Sequence, residues 1–226
     1  MNASRLFLAL LLAATAAAQQ PPYLFLRQVT PAGVQTPAPN RPIQVPNHER
    51  IHLQICIRAR NVADKFEQPE VRAANQGPGY FDHRPGPNIA LSIQRVVGSE
   101  RRDVPFRLNS SGLGIDLDVY WVDADIDILE EKAVRQQKAE QFVAWIVSQP
   151  GGERQSQLLQ RSPGSLASYF EEQYINNPPG DYQITAKYTP TTAQNGSGSL
   201  TSAPVRIHVI DAGDFFDTLK TKLVPR

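Results

Sequence analysis

The chain has a single cysteine, Cys56, among 226 residues. It can form no intramolecular disulfide, so its stability has to come from burial. It lacks an excess of either charge. Lys and Arg number 23 against 22 Asp and Glu, a balance that argues against nucleic acid or an anionic membrane as the main partner. After its first stretch it has no apolar run near the about 20 residues of a membrane-spanning helix. It also lacks a Ser or Cys nucleophile signature, a glycine-rich phosphate loop and a His-Glu-x-x-His pair, so no motif points to an enzyme class. Long helical patterns are scarce, and the 19 prolines and 14 glycines describe short extended segments joined by turns.

What is present begins with a leader. Arg5, the apolar run from Leu6 to Ala14 and the small residues Thr15 to Ala18 ahead of Gln19 read as a secretory signal peptide over 1–18. The run is too short to span a bilayer, and no Cys follows it to take a lipid anchor. The expectation is an exported chain, periplasmic or secreted, with roughly 200 residues left for one large domain.

Alternation then predicts strands. Tyr23 to Leu26 suggests a first one, and prolines at 31, 37, 39, 42 and 46 forbid a helix and suit an extended connection along a sheet edge. Over 48–61, Ile51, Leu53, Ile55 and Ile57 fall on one face and His52, Gln54, Cys56 and Arg58 on the other, the period of a half-buried strand. The Gly/Pro-rich stretch 62–87 reads as a long surface loop. Residues 89–97 form a strand, 98–102 a charged turn and 104–108 its return, and Ile115 to Val122 alternates again. Two more runs, 181–188 and 200–210, read as antiparallel neighbours, for a total of about seven strands.

One strong helix is predicted over 127–149, where Ala139, Phe142, Val143, Ile146 and Val147 recur at helical spacing. Asp123, Asp125 and Asp127 would stand before or at its start, capping free N–H groups and opposing the positive end of its dipole. Glu131 and Arg135 are spaced to pair on its wet side. A shorter helix is predicted over 165–175, with Ser168 and Glu171 at capping-box spacing. In the tail, Phe215, Phe216, Leu219 and Leu223 would make a short amphipathic helix that docks on the β body or on a partner. The final Leu223 to Arg226 also matches the start of a thrombin cleavage tag.

Pro178-Pro179-Gly180-Asp181-Tyr182, continuing to Tyr188, and Gly198 to Val209 with Thr201-Ser202-Ala203-Pro204-Val205 resemble the two closing strands of immunoglobulin-like modules in bacterial exported proteins. The resemblance implies a mainly β fold, an antiparallel β-sandwich over 19–211 with a helical insertion at about 127–175 and a tail over 212–226. It implies almost nothing about function, since such sandwiches host unrelated jobs. The chain departs from antibody domains in its helical segment and in lacking the Cys pair and the Trp between them.

Candidate chemistry is thin. His48, His52 and Cys56 are spaced by four, roughly 13 Å apart on a strand, too far to share one metal ion. The best cluster is acidic: Asp116, Asp118, Asp123, Asp125 and Asp127 with Glu130 and Glu131. It fails as an EF-hand starting at Asp123, because Ile128 and Val134 occupy the positions that need Gly and Glu. An irregular Ca²⁺ site on Asp123, Asp125 and Asp127 is the metal reading, and helix capping with a solvated strand face is the plainer one. Asp116 and Asp118, about 7 Å apart on one strand face, overlap the carboxylate spacing of inverting glycosidases. His83 and His208 show no partner. Asn109 and Asn195 match the glycosylation pattern, which matters only in a eukaryotic host. Trp145, beside the helical stripe, either widens the buried face or points outward as an interface anchor.

The sequence reading is an exported, non-catalytic binding or structural module with no cofactor. Its recognition surface is placed on the helical insertion, at Trp145 and Tyr169, for a protein or glycan partner in the envelope or extracellular space. The alternatives are an extracellular hydrolase acting on envelope or extracellular polymer through the acidic cluster, and a Ca²⁺-stabilised adhesion domain.

Overall fold

The computed structural model describes residues 23–38, 41–58, 71–73, 89–116, 118–149, 163–189 and 199–223. The leader at 1–18, most of 62–87 with His83, Asn195 and the last three residues lie outside them.

The fold is mainly β, in two sheets. The first has the order β2 (Gly33–Gln35), β1 (Tyr23–Thr30), β4 (Ile51–Arg58), β9 (Val119–Ile128) and β8 (Phe106–Asp116), all antiparallel. The second runs β3 (Ile43–Pro46), β12 (Val205–Ile210), β10 (Gly180–Tyr188), β6 (Ile89–Val97) and β5 (Val71–Ala73), with β7 (Glu100–Asp103) also on β6 and β11 (Leu200–Thr201) on β10. The pairings of β3 with β12 and of β5 with β6 are parallel. Strand β4 carries the clearest alternation, and its Ile51, Leu53, Ile55 and Ile57 are all buried. They join Leu24 and Leu26 of β1, Leu91 and Ile93 of β6, Ile184 of β10 and Ile207 of β12 in one core shared by both sheets, an arrangement compatible with a β-sandwich.

The predicted strands at 23–26, 89–97 and 181–188 are present, that at 48–61 is β4 over Ile51–Arg58, that at 200–210 is divided into β11 and β12, and the proline-rich segment does run along a sheet edge as β3. Three predictions are corrected. The return from β6 is β7, through a tight turn at Gly98 with φ of 61°, whereas Phe106 and Leu108 open β8 in the other sheet. The run 115–122 is a hairpin, because β8 ends at Asp116 and β9 begins at Val119. Within 62–87, Val71–Ala73 pairs with β6.

The helical layer is likewise shifted. Asp127 and Ile128 still belong to β9, and helix α1 spans Lys132–Ser148. Asp123, Asp125 and Asp127 are strand residues and cap nothing. Helix α2 is Pro163–Gln173, so Ser168 and Glu171 lie well inside it. Arg135 reaches Glu171 of α2, with Nη2 to Oε1 at 2.8 Å, and Glu131 is left out of that pair. The stripe itself is as expected: Ala139, Phe142 and Val143 are buried, and Ile146 and Val147 pack beside them.

The tail folds as helix α3, Phe215–Leu223, and docks on the other helices. Phe216 is buried between two rings, stacked on Phe142 at 4.4 Å and on Tyr174 at 4.9 Å between centroids. With Ala139, Trp145, Phe170 and Leu219 they form a second core. The tail is therefore part of the folded body, and Phe216→Ala is expected to cost about 3–5 kcal/mol, read as a lower urea midpoint for loss of helix signal.

Candidate functional site

The helices are joined to the β body by a continuous set of polar contacts. It starts at Asn47, just after β3. The backbone N–H of Asn47 donates to Ile210 at 2.9 Å, and its carbonyl accepts the N–H of Asn177 at 2.8 Å. Its Nδ2 donates to Asn176 Oδ1 at 2.8 Å, and its Oδ1 accepts the N–H of Ala212 at 3.0 Å. Asn177, fully buried, takes the N–H of Ile128 on Oδ1 at 2.6 Å and donates from Nδ2 to the Glu49 carbonyl at 2.6 Å. Asn176 Nδ2 donates to Glu130 Oε1 at 3.1 Å.

From Glu130 the contacts pass into the helices. Lys138 Nζ lies 3.4 Å from Glu130 Oε2, 3.0 Å from Asp214 Oδ2 and 2.6 Å from the Tyr174 hydroxyl, which donates to the same Asp214 oxygen at 2.9 Å. Asp214 Oδ1 accepts the N–H of Phe216 at 2.9 Å and so caps α3. Burial alone would raise the Asp214 carboxyl, but the hydrogen bonds from Lys138, Tyr174 and the Phe216 N–H hold it below its ordinary value. Burial alone would lower the Lys138 ammonium, and the facing carboxylates Asp214 and Glu130 reverse that and raise it. Burial pushes the Tyr174 hydroxyl up, and the same two carboxylates push it further. A lysine held charged and a phenol held neutral, each with its partners, make a structural joint rather than a nucleophile or base.

Asp123, Asp125 and Asp127 lie on the outward face of the first sheet, each beside its own partner. Asp123 accepts Gln54 Nε2 at 2.9 Å. Asp125 Oδ1 lies 2.7 Å from His52 Nδ1. Asp127 is buried between Arg50 at 3.3 Å and Arg107 at 3.6 Å, and burial raises its carboxyl despite the two guanidinium groups. Arg107 continues to the carbonyls of Glu172 and Tyr174 at the end of α2, where a cation suits the helix dipole. Among the described residues no three His, Cys, Asp or Glu side chains gather as a metal set. Asp118 stands in the hairpin turn after Asp116, so the two do not share a strand face.

The two residues proposed for recognition differ. Trp145 is half-buried against the second core, stacked on Phe142 at 5.8 Å with Lys220 Nζ 6.0 Å from its ring, so its indole is committed to packing. Tyr169 is 41% exposed on α2. His52 and Cys56 share a strand without sharing a site, and Cys56 is fully buried, which pushes its thiol up to about 11. His208 pairs with Asp181 at 2.7 Å. The Asn47 to Asp214 joint was missed in the sequence reading. Its asparagines, Asn47, Asn176 and Asn177, carry no periodic pattern that would mark it.

Comparison with family models, with curated proteins and with solved structures finds no match for this chain.

Two outcomes follow from the joint. Asn177→Ala leaves the Ile128 N–H and the Glu49 carbonyl without their partner and is expected to cost about 3 kcal/mol or more, measured by urea unfolding. Asp214 has its folded pKa depressed, so its stabilisation is present above the unfolded value and is lost as pH falls through the folded one. Melting temperature should drop below about pH 4, and Asp214→Asn should flatten that acid limb.

Proposed function

We propose that the chain is an exported, non-catalytic binding module built on an immunoglobulin-like sandwich, and that its helical layer is the recognition surface for a protein or glycan partner. Immunoglobulin-like sheets run A-B-E-D and C-F-G. The orders β1-β4-β9-β8 and β6-β10-β12 fit that scheme, with β7 on β6 in the place of C′ and the helices between E and F. A further support is Tyr182 near the start of β10, whose hydroxyl donates to the Pro178 carbonyl at 2.6 Å, as the tyrosine at the E–F corner of such domains does.

The observation that carries the recognition surface is the contrast between a rigid support and an exposed ring. Phe170 packs edge-on against Phe142 at 4.9 Å and Arg135 holds Glu171, so α2 is fixed on both sides of Tyr169. The neighbouring Tyr169 packs edge-on against Phe170 at 5.4 Å and keeps 41% of its surface exposed, and rigid aromatics of this kind serve as interface anchors. Export rests on the leader read from sequence.

A photocrosslinking residue in place of Tyr169, with Val97 on the β6–β7 turn as a control position, tests the reading in envelope and culture fluid. The expected result is one discrete adduct from position 169 and none from 97. Equal labelling from both, or none from 169, would overturn it.

A further inference from the structure

The outward face of the first sheet is divided in two. At the end nearest the helices each carboxylate has a polar partner beside it: Arg50 and Arg107 on Asp127, His52 on Asp125, Gln54 on Asp123. At the other end the pairing stops. Register aligns Tyr23 with Arg58, Phe25 with Cys56 and Trp121, and Arg27 with Gln54. Arg58 donates from Nη1 to the Tyr23 hydroxyl at 3.0 Å, and its guanidinium lies 5.9 Å from the ring centres of both Tyr23 and Phe25. The Arg27 guanidinium lies 5.1 Å from the Phe25 ring centre. Among the described residues neither arginine has a carboxylate within ion-pair distance. Asp123 is engaged by Gln54, and Asp116 lies in register two strands from Arg58, about 10 Å across the sheet.

These groups are held in place. The Tyr23 and Phe25 rings touch, with centroids 5.2 Å apart. Trp121 pairs with Gly114 on β8, and its indole occupies the space over that glycine: a Cβ there would lie 2.1 Å from Cζ2. The face therefore presents Tyr23 and Phe25 side by side along β1 and Trp121 in the row of Phe25 two strands away, with two guanidinium groups that have no carboxylate partner among the described residues held against the β1 rings. A stacked guanidinium keeps its edge N–H groups free for a bidentate anion, and ring and cation fixed together lose little freedom on binding.

We propose that this surface, formed by Tyr23, Phe25, Arg27, Arg58 and Trp121, binds an acidic polysaccharide. Sugar rings offer apolar C–H faces to the aromatics, and uronate or sulfate groups offer the anions the arginines lack. Phe25 and Trp121 lie in one row two strands apart, about 10 Å, a spacing that suits an extended repeating chain. A polyphosphate is disfavoured, because Asp123 shares the row of Arg27, Asp125 and Asp127 follow it, and among the described residues this end of the face carries two cations without a carboxylate partner. The proposal stands apart from the helical recognition surface and does not rest on it.

The full mature chain is titrated with polygalacturonate, dextran sulfate, neutral dextran and poly-glutamate, followed by affinity electrophoresis and calorimetry. Binding to either acidic polysaccharide, and to neither control, is expected, and the two acidic polymers separate carboxylate from sulfate recognition. The pair R27A and R58A together should weaken it by about tenfold or more with melting temperature unchanged. R27K with R58K, which keeps charge and loses the planar fork, should recover only part, and Tyr169→Ala should bind as the parent chain does. Binding of poly-glutamate as tight as that of the polysaccharides would make the site a docking face for an acidic protein and overturn the proposal. So would an undiminished affinity of the alanine pair, or no binding to either acidic polymer.

Discussion

Everything at the helical end of the molecule depends on the polar joint that runs from Asn47 through Asn177 and Asn176 to Glu130, Lys138, Tyr174 and Asp214. The chain crosses that end at 47–50, 128–131, 174–180 and 210–214, where regular structure stops and backbone groups lose their ladder partners. Buried N–H and C=O groups left without partners are costly. Asn177 alone serves Ile128, Asn47 and Glu49, so one side chain satisfies three backbone groups on two segments. An amide is suited to this, since it donates and accepts at once.

The joint also explains why the tail belongs to the body. Asp214 caps α3 with one carboxylate oxygen and receives Lys138 and Tyr174 on the other, so the helix starts where the joint ends. Its position then sets Phe216 between Phe142 and Tyr174. The polar contacts fix the direction of entry and the ring stack supplies the apolar burial, roughly 1.5–3 kcal/mol for such a side chain. Cooperation of this kind gives the helices a core of their own beside the larger one between the sheets.

Much of the β structure was legible because alternation survives wherever one face is buried. It held for β4, β6, β10 and β12, and the helical stripe of α1 was equally plain. The hairpin at Asp116 to Val119 was not legible, for a definable reason. A one-residue bulge between Ser110 and Leu113 switches which residues of β8 face outward, and the turn that follows has neither Gly nor Pro. Ile115 falls in register with inward Tyr120, whereas Val119 is apolar and buried yet lies on the outward row with Trp121. The apolar residues 115, 117, 119 and 121 thus spell an unbroken strand across a reversal. The start of α1 was misjudged through the same bias, since carboxylates before a helix read as caps although here they pair across strands. The joint was hidden because its members lie more than a hundred residues apart in places, as Asn47 and Asn176 do, and asparagines carry no periodic signal.

The first sheet's outward face shows what such charge arithmetic conceals. A chain with nearly balanced charge gives no overall field to attract a partner, yet balance over the whole molecule says nothing about local pairing. Carboxylates are concentrated on one stretch of β9 and answered there by His52, Gln54, Arg50 and Arg107. Among the described residues that leaves Arg27 and Arg58 without a carboxylate in ion-pair contact, and they lie instead against the Phe25 and Tyr23 rings, Arg58 also donating to the Tyr23 hydroxyl. Cation–π contact at an exposed site is worth about 0.5–1 kcal/mol, less than a charge-assisted hydrogen bond to an anion. The two arginines are therefore held in place by contacts weaker than those an anionic ligand can offer, which is the energetic condition for a site that is ordered when empty and still gains on binding.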